Sequence, residues 1–210
     1  MTPRANQRTR TRAALLDAAT ELMREGRAPS MPEAAERAMV SIATAYRYFS
    51  SADELWSEAS MAAAELQPLL DDADALMDQA GDDPHARLAV AVRTIGWRML
   101  EDQLPFRQLA KSALERWFAQ LEVPPEERVP VREGRRNRHN RKVIEPLADV
   151  LTDRDADRLV AALALVVGTD SMLALIDGAG LEVDEAKSLM LDAARWLLAG
   201  ALDELLPPGR

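Results

Sequence analysis

The chain has 210 residues, a formal net charge of -9 and no cysteine. The lack of cysteine excludes a disulfide framework, a thiol nucleophile and a sulfur-ligated metal site. The N-terminus lacks the apolar h-region of a signal peptide, and no uninterrupted apolar run reaches the ~18 residues of a membrane span. We therefore expect a cytoplasmic protein with one large domain or two small ones, without contact to a membrane.

The first predicted helix runs from Arg12 to Glu25, because its apolar residues recur at the three- and four-residue intervals of one helical face. Gly26 is a natural stop after it. A second, short helix is predicted from Met31 to Ala38. Ser30 and Glu33 have the spacing of a capping box at its start, in which each side chain bonds the other residue's backbone N–H.

Met39 and Val40 turn the chain into a third predicted helix, Ile42 to Tyr48, with Ser41 as its N-cap. A helix, a short turn and a second helix are typical of the helix-turn-helix motif. The third helix carries hydroxyls and a guanidinium, which bond the phosphate oxygens and base edges of DNA. We predict that residues 12–49 form a three-helix unit whose last helix reads DNA.

The same segment resembles the N-terminal domain of TetR-family transcriptional regulators, whereas the rest of the chain resembles that family only as a helical pattern. The matching residues are 12–23, Gly26, Ser30, Ala35, Ala38, 40–41, Thr44, Tyr46 and 48–49. The resemblance implies an all-α fold with a helix-turn-helix domain and a helical ligand-binding and dimerisation domain. It further implies a repressor that binds palindromic operator DNA as a homodimer and is released by a small-molecule effector.

The resemblance also implies which residues contact DNA. Ser30, Thr44 and Tyr48 are the implied phosphate contacts, and Ser41 lies beside them at the N-cap. The candidates for base contact are the exposed positions of the third helix: Ile42, Ala43, Ala45, Tyr46 and Arg47.

Four arginines precede Asp17, the first acidic residue of this acidic chain: Arg4, Arg8, Arg10 and Arg12. We expect this basic arm to meet the DNA backbone or to enter the minor groove.

Two positions depart from the family pattern. Met39 stands where the family usually has glycine, and a positive φ costs a non-glycine residue roughly 1–2 kcal/mol. Ala52 stands where the family commonly has a phosphate-binding lysine. With the net charge, these departures leave open a helical ligand-binding or adaptor protein that has lost DNA binding. An enzyme is the third class, but two histidines and no Gly-rich phosphate loop offer little catalytic material, and we expect no metal and no cofactor.

Residues 1–50 are predicted to form the DNA-binding domain and residues 51–210 the regulatory and dimerisation domain. Beyond Phe49 the pattern is helical and shows no strand period. The predicted helices are 52–67, 69–79, 84–103, 106–118, 131–151, 152–177 and 183–205.

The last two predicted helices are apolar on more than one face and rich in alanine and glycine, so the second face needs a partner. We expect these helices of two chains to form a four-helix bundle. The alternative is a buried hairpin inside a monomer.

The middle of the chain holds candidates for a ligand site. Apolar residues that can line a cavity between helices are Trp97, Leu100, Phe106, Trp117 and Met172. Arg138 and His139 lie in a basic segment that can hold an anionic ligand. The alternatives are an ordinary hydrophobic core and a solvated basic face paired with nearby acids.

Overall fold

The computed structural model describes residues 3–27, 30–64, 66–131 and 135–205, without the side chains of residues 3–6, 61, 63, 66, 67, 135 and 136. Every regular element within these ranges is helical, which confirms the all-α prediction. The α-helices are α1 (Pro3–Arg24), α2 (Met31–Arg37), α3 (Ile42–Tyr48), α4 (Ala52–Ala63), α5 (Leu66–Gln79), α6 (Pro84–Ala91), α7 (Trp97–Glu101), α8 (Gln103–Ala119), α9 (Arg135–Ile144), α10 (Asp153–Val166), α11 (Thr169–Leu173) and α12 (Val183–Leu205).

The chain divides into two compact units. The N-terminal unit comprises residues 1–66 and 104–118, and the C-terminal unit comprises residues 67–103 and 119–210. The N-terminal unit is larger than the predicted 1–50 domain, because α4 and most of α8 belong to it. A functional boundary at residue 50 therefore stays a prediction.

The N-terminal unit is built on a core to which α1, α2, α3 and α4 all contribute. Its fully buried members include Leu15 of α1, Ala34 of α2, Phe49 after α3 and Leu55 of α4. Each of these side chains is at most 1% exposed. Burying an aliphatic or aromatic side chain stabilises a fold by about 1.5–3 kcal/mol, so this cluster fixes the three helices before α4 as one body.

The predicted arm is helical. The structure begins α1 at Pro3 instead of at Arg12, so Arg8 and Arg10 lie on the first helix itself. Proline is tolerated in a first helical turn, and the arginine, alanine and glutamine that follow it favour helix. The side chain of Arg4 lies outside the described residues, although its backbone is in α1.

The predicted helix 52–67 is two helices in the structure. The first, α4, ends at Ala63, and α5 begins at Leu66. Pro68 does not end a helix here. It lies in the first turn of α5, where its missing N–H costs no intrahelical bond.

The predicted helix 84–103 is interrupted by a π-helical turn, Val92–Gly96, between α6 and α7. A Cβ atom added at Gly96 would lie 2.6 Å from the sulfur of Met190 on α12. Glycine at this position therefore permits the close approach of α12.

The predicted helix 152–177 is broken as well. It ends at Val166, because Val167 takes an extended conformation with φ of -125° and ψ of 100°. It resumes as α11 and a second π-helical turn, Ala174–Gly178.

This stretch also corrects the expectation about membrane spans. Residues 153–178 are long and apolar enough to cross a membrane, and an 18-residue window within them has a mean hydropathy of 2.2. The core helix of a globular protein passes the same test, and 44% of the window is buried within the chain.

The predicted basic helix 131–151 is shorter in the structure. It becomes α9 and a 3-10 turn, Glu145–Leu147, that contains Pro146. The ring of Pro146 cannot continue the α-helical hydrogen bonds, which explains the early end.

Candidate nucleic-acid interface

The start of α3 is fixed by its own side chains. The Ser41 hydroxyl accepts a hydrogen bond from the backbone N–H of Thr44 at 3.1 Å, and the two hydroxyls lie 2.8 Å apart. The Phe49 N–H closes the other end by donating to the carbonyl of Ala45. The observed helix, Ile42–Tyr48, has the predicted bounds.

The preceding helix is held in the same way. The Ser30 hydroxyl accepts from the Glu33 N–H at 3.4 Å, and the Glu33 carboxylate accepts from the Ser30 N–H at 3.2 Å, which confirms the capping box. The hydrogen bond from the Ser30 hydroxyl to Glu33 is the main reason that the pKa of this carboxyl lies below its ordinary value. The Arg37 guanidinium donates to Glu25, directly after α1, at 2.6 Å, which ties α2 to the end of α1.

One face of α3 points into the protein. Ala45 and Phe49 have no exposed surface, and the Arg12 guanidinium lies 5.0 Å from the centroid of the Phe49 ring. Ala45 was predicted as a base contact, and this prediction is wrong because its side chain is buried in the three-helix core.

The opposite face of α3 is exposed. Ile42 is 47% exposed and Tyr46 is 52% exposed. Ser41, Ala43 and Arg47 are exposed too, whereas Thr44 and Tyr48 are half-buried beside them. The helix therefore presents an apolar, an aromatic and a cationic side chain together, which is the mixture that major-groove readers use.

A groove of about 360 Å³ lies between the start of α1 and the end of α3. It is lined by Gln7, Arg8, Arg47 and Tyr48. The Arg47 guanidinium lies 5.4 Å from the centroid of the Tyr48 ring. The groove brings together three predicted DNA contacts and adds Gln7, which the sequence could have indicated only if the helix had been predicted to begin at Pro3.

The turn between α2 and α3 contains a strained residue. Met39 has a φ of 54°, the one positive φ of a non-glycine residue within the described ranges, as the family comparison led us to expect. Its N–H donates to the Glu36 carbonyl at 3.0 Å, and the Val40 N–H donates to the Ala35 carbonyl at 2.9 Å. The Met39 side chain is 93% exposed, so packing does not account for it.

The seven predicted ligand residues are divided between the two units. Phe106 and Trp117 belong to the N-terminal unit and the other five to the C-terminal unit. Trp117 is 50% exposed and packs edge-on against Phe118 with ring centroids 5.1 Å apart. Neither the groove beside α3 nor a second groove near α2 is lined by any of the seven.

The five candidates in the C-terminal unit differ in exposure. Leu100 and Met172 are fully buried. Trp97 is half-buried, and its ring N–H donates to the Lys187 carbonyl at 3.3 Å. Arg138 is exposed, whereas His139 is buried and lies 2.8 Å from an Asp74 carboxylate oxygen.

The comparisons with known proteins find a structural relative. A crystal structure from Mesorhizobium loti, described provisionally as a TetR-family transcriptional regulator, superposes with a TM-score of 0.56 and 18% sequence identity. The match covers 95% of this chain and 98% of that one. No family sequence model and no curated protein matches the chain.

The fold is therefore similar to that of a protein described as a TetR-family transcriptional regulator. An identity of 18% shows the fold alone.

Proposed function

We propose that the protein is a cytoplasmic, ligand-responsive transcriptional repressor, not an enzyme, and that it binds palindromic operator DNA as a homodimer. The observation that carries the proposal is the capped helix α3, which buries Ala45 and exposes Tyr46 and Arg47. A surface of this kind matches the major groove, where a guanidinium bonds guanine and apolar groups contact the thymine methyl.

In this proposal α3 supplies the base contacts and its surroundings supply the phosphate contacts. Ile42, Ala43, Tyr46 and Arg47 face the bases. A phosphate occupies the groove between Arg8 and Tyr48. The proposed phosphate contacts, with Arg4 and Arg10 as further cations, are Arg4, Arg8, Arg10, Ser30, Ser41, Thr44 and Tyr48.

Ser30 is a weaker member of the phosphate set. Its hydroxyl donates to the Glu33 carboxylate at 2.7 Å. Phosphate oxygens accept hydrogen bonds and do not donate them, so Ser30 must give up this bond to contact DNA. We therefore expect Ser30 to contribute less than Thr44.

We place the dimer interface on α10 and α12, which pack against each other in the C-terminal unit. Each leaves a large apolar side chain in solvent: Leu165 is 74% exposed and Trp196 is 66% exposed. A two-fold dimer presents two recognition helices to successive major grooves about 34–36 Å apart. A small-molecule effector that prefers a different spacing shifts the population away from DNA by no more than its differential affinity.

DNA binding is tested by gel shift on the DNA upstream of the protein's own coding sequence. Arg47→Ala should weaken binding by about 1–3 kcal/mol and relax sequence preference, the effect of losing a base contact. Arg8→Ala should weaken binding to all sequences and lower the salt slope by about one. Arg128→Ala, at an exposed arginine of the C-terminal unit outside α10 and α12, is the matched control and should change neither.

A folded wild-type dimer that binds no upstream DNA at low salt would contradict the proposal and favour the adaptor alternative.

The dimer is tested with Trp196→Glu, which should give monomers by light scattering and lose operator binding. Trp117→Glu is the same change at another half-exposed tryptophan and should remain dimeric. Leu198, also in α12, is unsuitable because it is fully buried within the chain. A wild-type monomer at micromolar concentration would end the four-helix-bundle proposal.

A further inference from the structure

The C-terminal unit contains a buried histidine with one unpaired ring nitrogen. His139 of α9 is 2% exposed, and its Nδ1 lies 2.8 Å from Oδ1 of Asp74 on α5. Its Nε2 is the buried side-chain nitrogen without a hydrogen-bond partner among the described residues. The structure buries Asn140 next to it, but the Asn140 amide donates to the Val160 carbonyl at 3.2 Å.

The Asp74 carboxylate fixes the tautomer of the neutral imidazole. An ionised carboxylate only accepts hydrogen bonds, so the proton of the neutral ring lies on Nδ1. Nε2 then carries a lone pair and acts as an acceptor. A second pair repeats one helical turn along both helices, where the Lys142 ammonium donates to Asp78 at 2.9 Å. The two pairs hold the ring at a fixed orientation between α5 and α9.

Among the residues that the structure describes, the buried side chains of the helices packed against α9 offer no free donor for Nε2. The buried residues of α10 are apolar, and those of α6 are apolar apart from Arg87. The Arg87 guanidinium is already used, because it donates to the Gly81 carbonyl, the Lys142 carbonyl and Glu145. A buried acceptor without a donor is costly, and native proteins seldom leave one in that state.

We propose that Asp74 and His139 form the polar anchor of a binding site for an uncharged molecule that carries an O–H or N–H donor. Asp74 positions the ring and Nε2 accepts the hydrogen bond. The burial of the ring disfavours a charged ligand, since burying an unpaired charge is far more costly than burying a hydroxyl. This binding site depends on the proposed function in one respect only, namely that we take the bound molecule to be the small-molecule effector of the repressor.

The tautomer is tested first, by nitrogen-15 NMR of the wild-type protein above neutral pH. We expect the His139 ring to carry its proton on Nδ1. Asp74→Asn should remove that preference, because an amide can donate to the ring as well as accept from it. A wild-type ring protonated on Nε2 would overturn the proposal.

Binding is tested with phenol and toluene, which share a ring and differ in that toluene has a methyl group in place of the hydroxyl. We expect phenol to shift the His139 Nε2 resonance and to bind at least tenfold more tightly than toluene. His139→Asn keeps an amide donor near Asp74 but has no Nε2 acceptor. It should keep the helix content of the wild type and lose the preference for phenol.

Equal binding of phenol and toluene, or no binding of phenol, would overturn the proposal on the wild type alone, whether or not the variant folds. Neither readout involves DNA. A failure here therefore leaves the repressor proposal standing, and a failed gel shift leaves the binding site standing.

Discussion

The two units differ in how some of their helices begin. In the N-terminal unit, α2, α3 and α4 each begin at a serine whose hydroxyl accepts from a backbone N–H of the first turn. In the C-terminal unit, Asp83 and Thr152 cap α6 and α10 in the same way, but α7 and α11 begin without any side-chain cap, directly beside a π-helical turn or an extended residue. The start of α3 is thus fixed by its own residues, whereas the breaks around α7 and α11 depend on packing between helices.

The largest effect should come from the core that supports α3. Phe49→Ala removes a fully buried ring, and such a change costs about 3–5 kcal/mol of unfolding free energy. Tyr46→Ala, three residues earlier on the exposed face, should change stability by about 0.5 kcal/mol or less. Urea denaturation of both variants measures the difference. Equal losses would mean that α3 has no distinct inner and outer face.

The next effect concerns the packing that interrupts the helices of the C-terminal unit. Gly96→Val should destabilise by about 1–3 kcal/mol, because its Cβ would overlap the sulfur of Met190, which is itself buried. Gly178→Ala is the matched control, because Gly178 ends the second π-helical turn as Gly96 ends the first, and a Cβ there meets nothing within 4 Å. It should change stability by about 0.5 kcal/mol or less. If Gly96→Val does not change the free energy of unfolding, the close approach of Met190 is not the reason for glycine at this position.

These two regions also explain how much the sequence could predict. Ser30, Ser41 and Glu33 act on backbone groups three residues away, so the ends of α2 and α3 were predictable from spacing alone. The extended conformation of Val167 and the π turn before α7 carry no such local signal.

The sequence could predict only in part which residues of α3 are buried. Ala45 was grouped with the exposed positions because a resemblance gives residue types and not the direction of each side chain. The pairing of His139 with Asp74 joins residues far apart in sequence, and the pattern of either helix alone could not reveal it.

A smaller effect is expected at the caps. Ser30→Ala should cost about 1 kcal/mol, the usual value of a lost N-cap. The pKa of Glu33 should rise towards its ordinary value of 4.5, because the hydroxyl that mainly lowers it is gone. Because the folded-state pKa of Glu33 lies below its unfolded value, the ionised carboxyl stabilises the fold when the pH is above the unfolded pKa. This contribution is lost as the pH falls through the folded pKa, so the wild type should lose its advantage over Ser30→Ala in acid.

The control for Ser30→Ala lies in the middle of α12. Ser188→Ala removes a hydroxyl that bonds the Asp184 carbonyl within the same helix, and it should be neutral or slightly stabilising. NMR titration of Glu33 and thermal unfolding measure both effects. An unchanged Glu33 pKa in Ser30→Ala would contradict the capping account.

The smallest effect is expected at the turn that leads into α3. Met39→Gly should relieve the strain of a positive φ, roughly 1–2 kcal/mol. Glycine also adds freedom to the unfolded chain, which opposes folding by about 0.4–1 kcal/mol. No packing is lost, because the side chain is almost fully exposed. The net should be a stabilisation between roughly zero and 1.5 kcal/mol, with operator affinity kept or raised.

The reverse substitution in the other unit separates strain from context. Gly81 has a φ of 75° and open space where a Cβ would lie, so Gly81→Ala introduces the strain that Met39→Gly removes. It should destabilise by an amount similar to the gain at Met39, both measured by urea denaturation. If Met39→Gly instead lowers the free energy of unfolding by more than about 1 kcal/mol while Gly81→Ala behaves as expected, backbone strain at Met39 is not the dominant effect. The Met39 side chain must then make a stabilising contact in the free folded protein, contrary to its 93% exposure here.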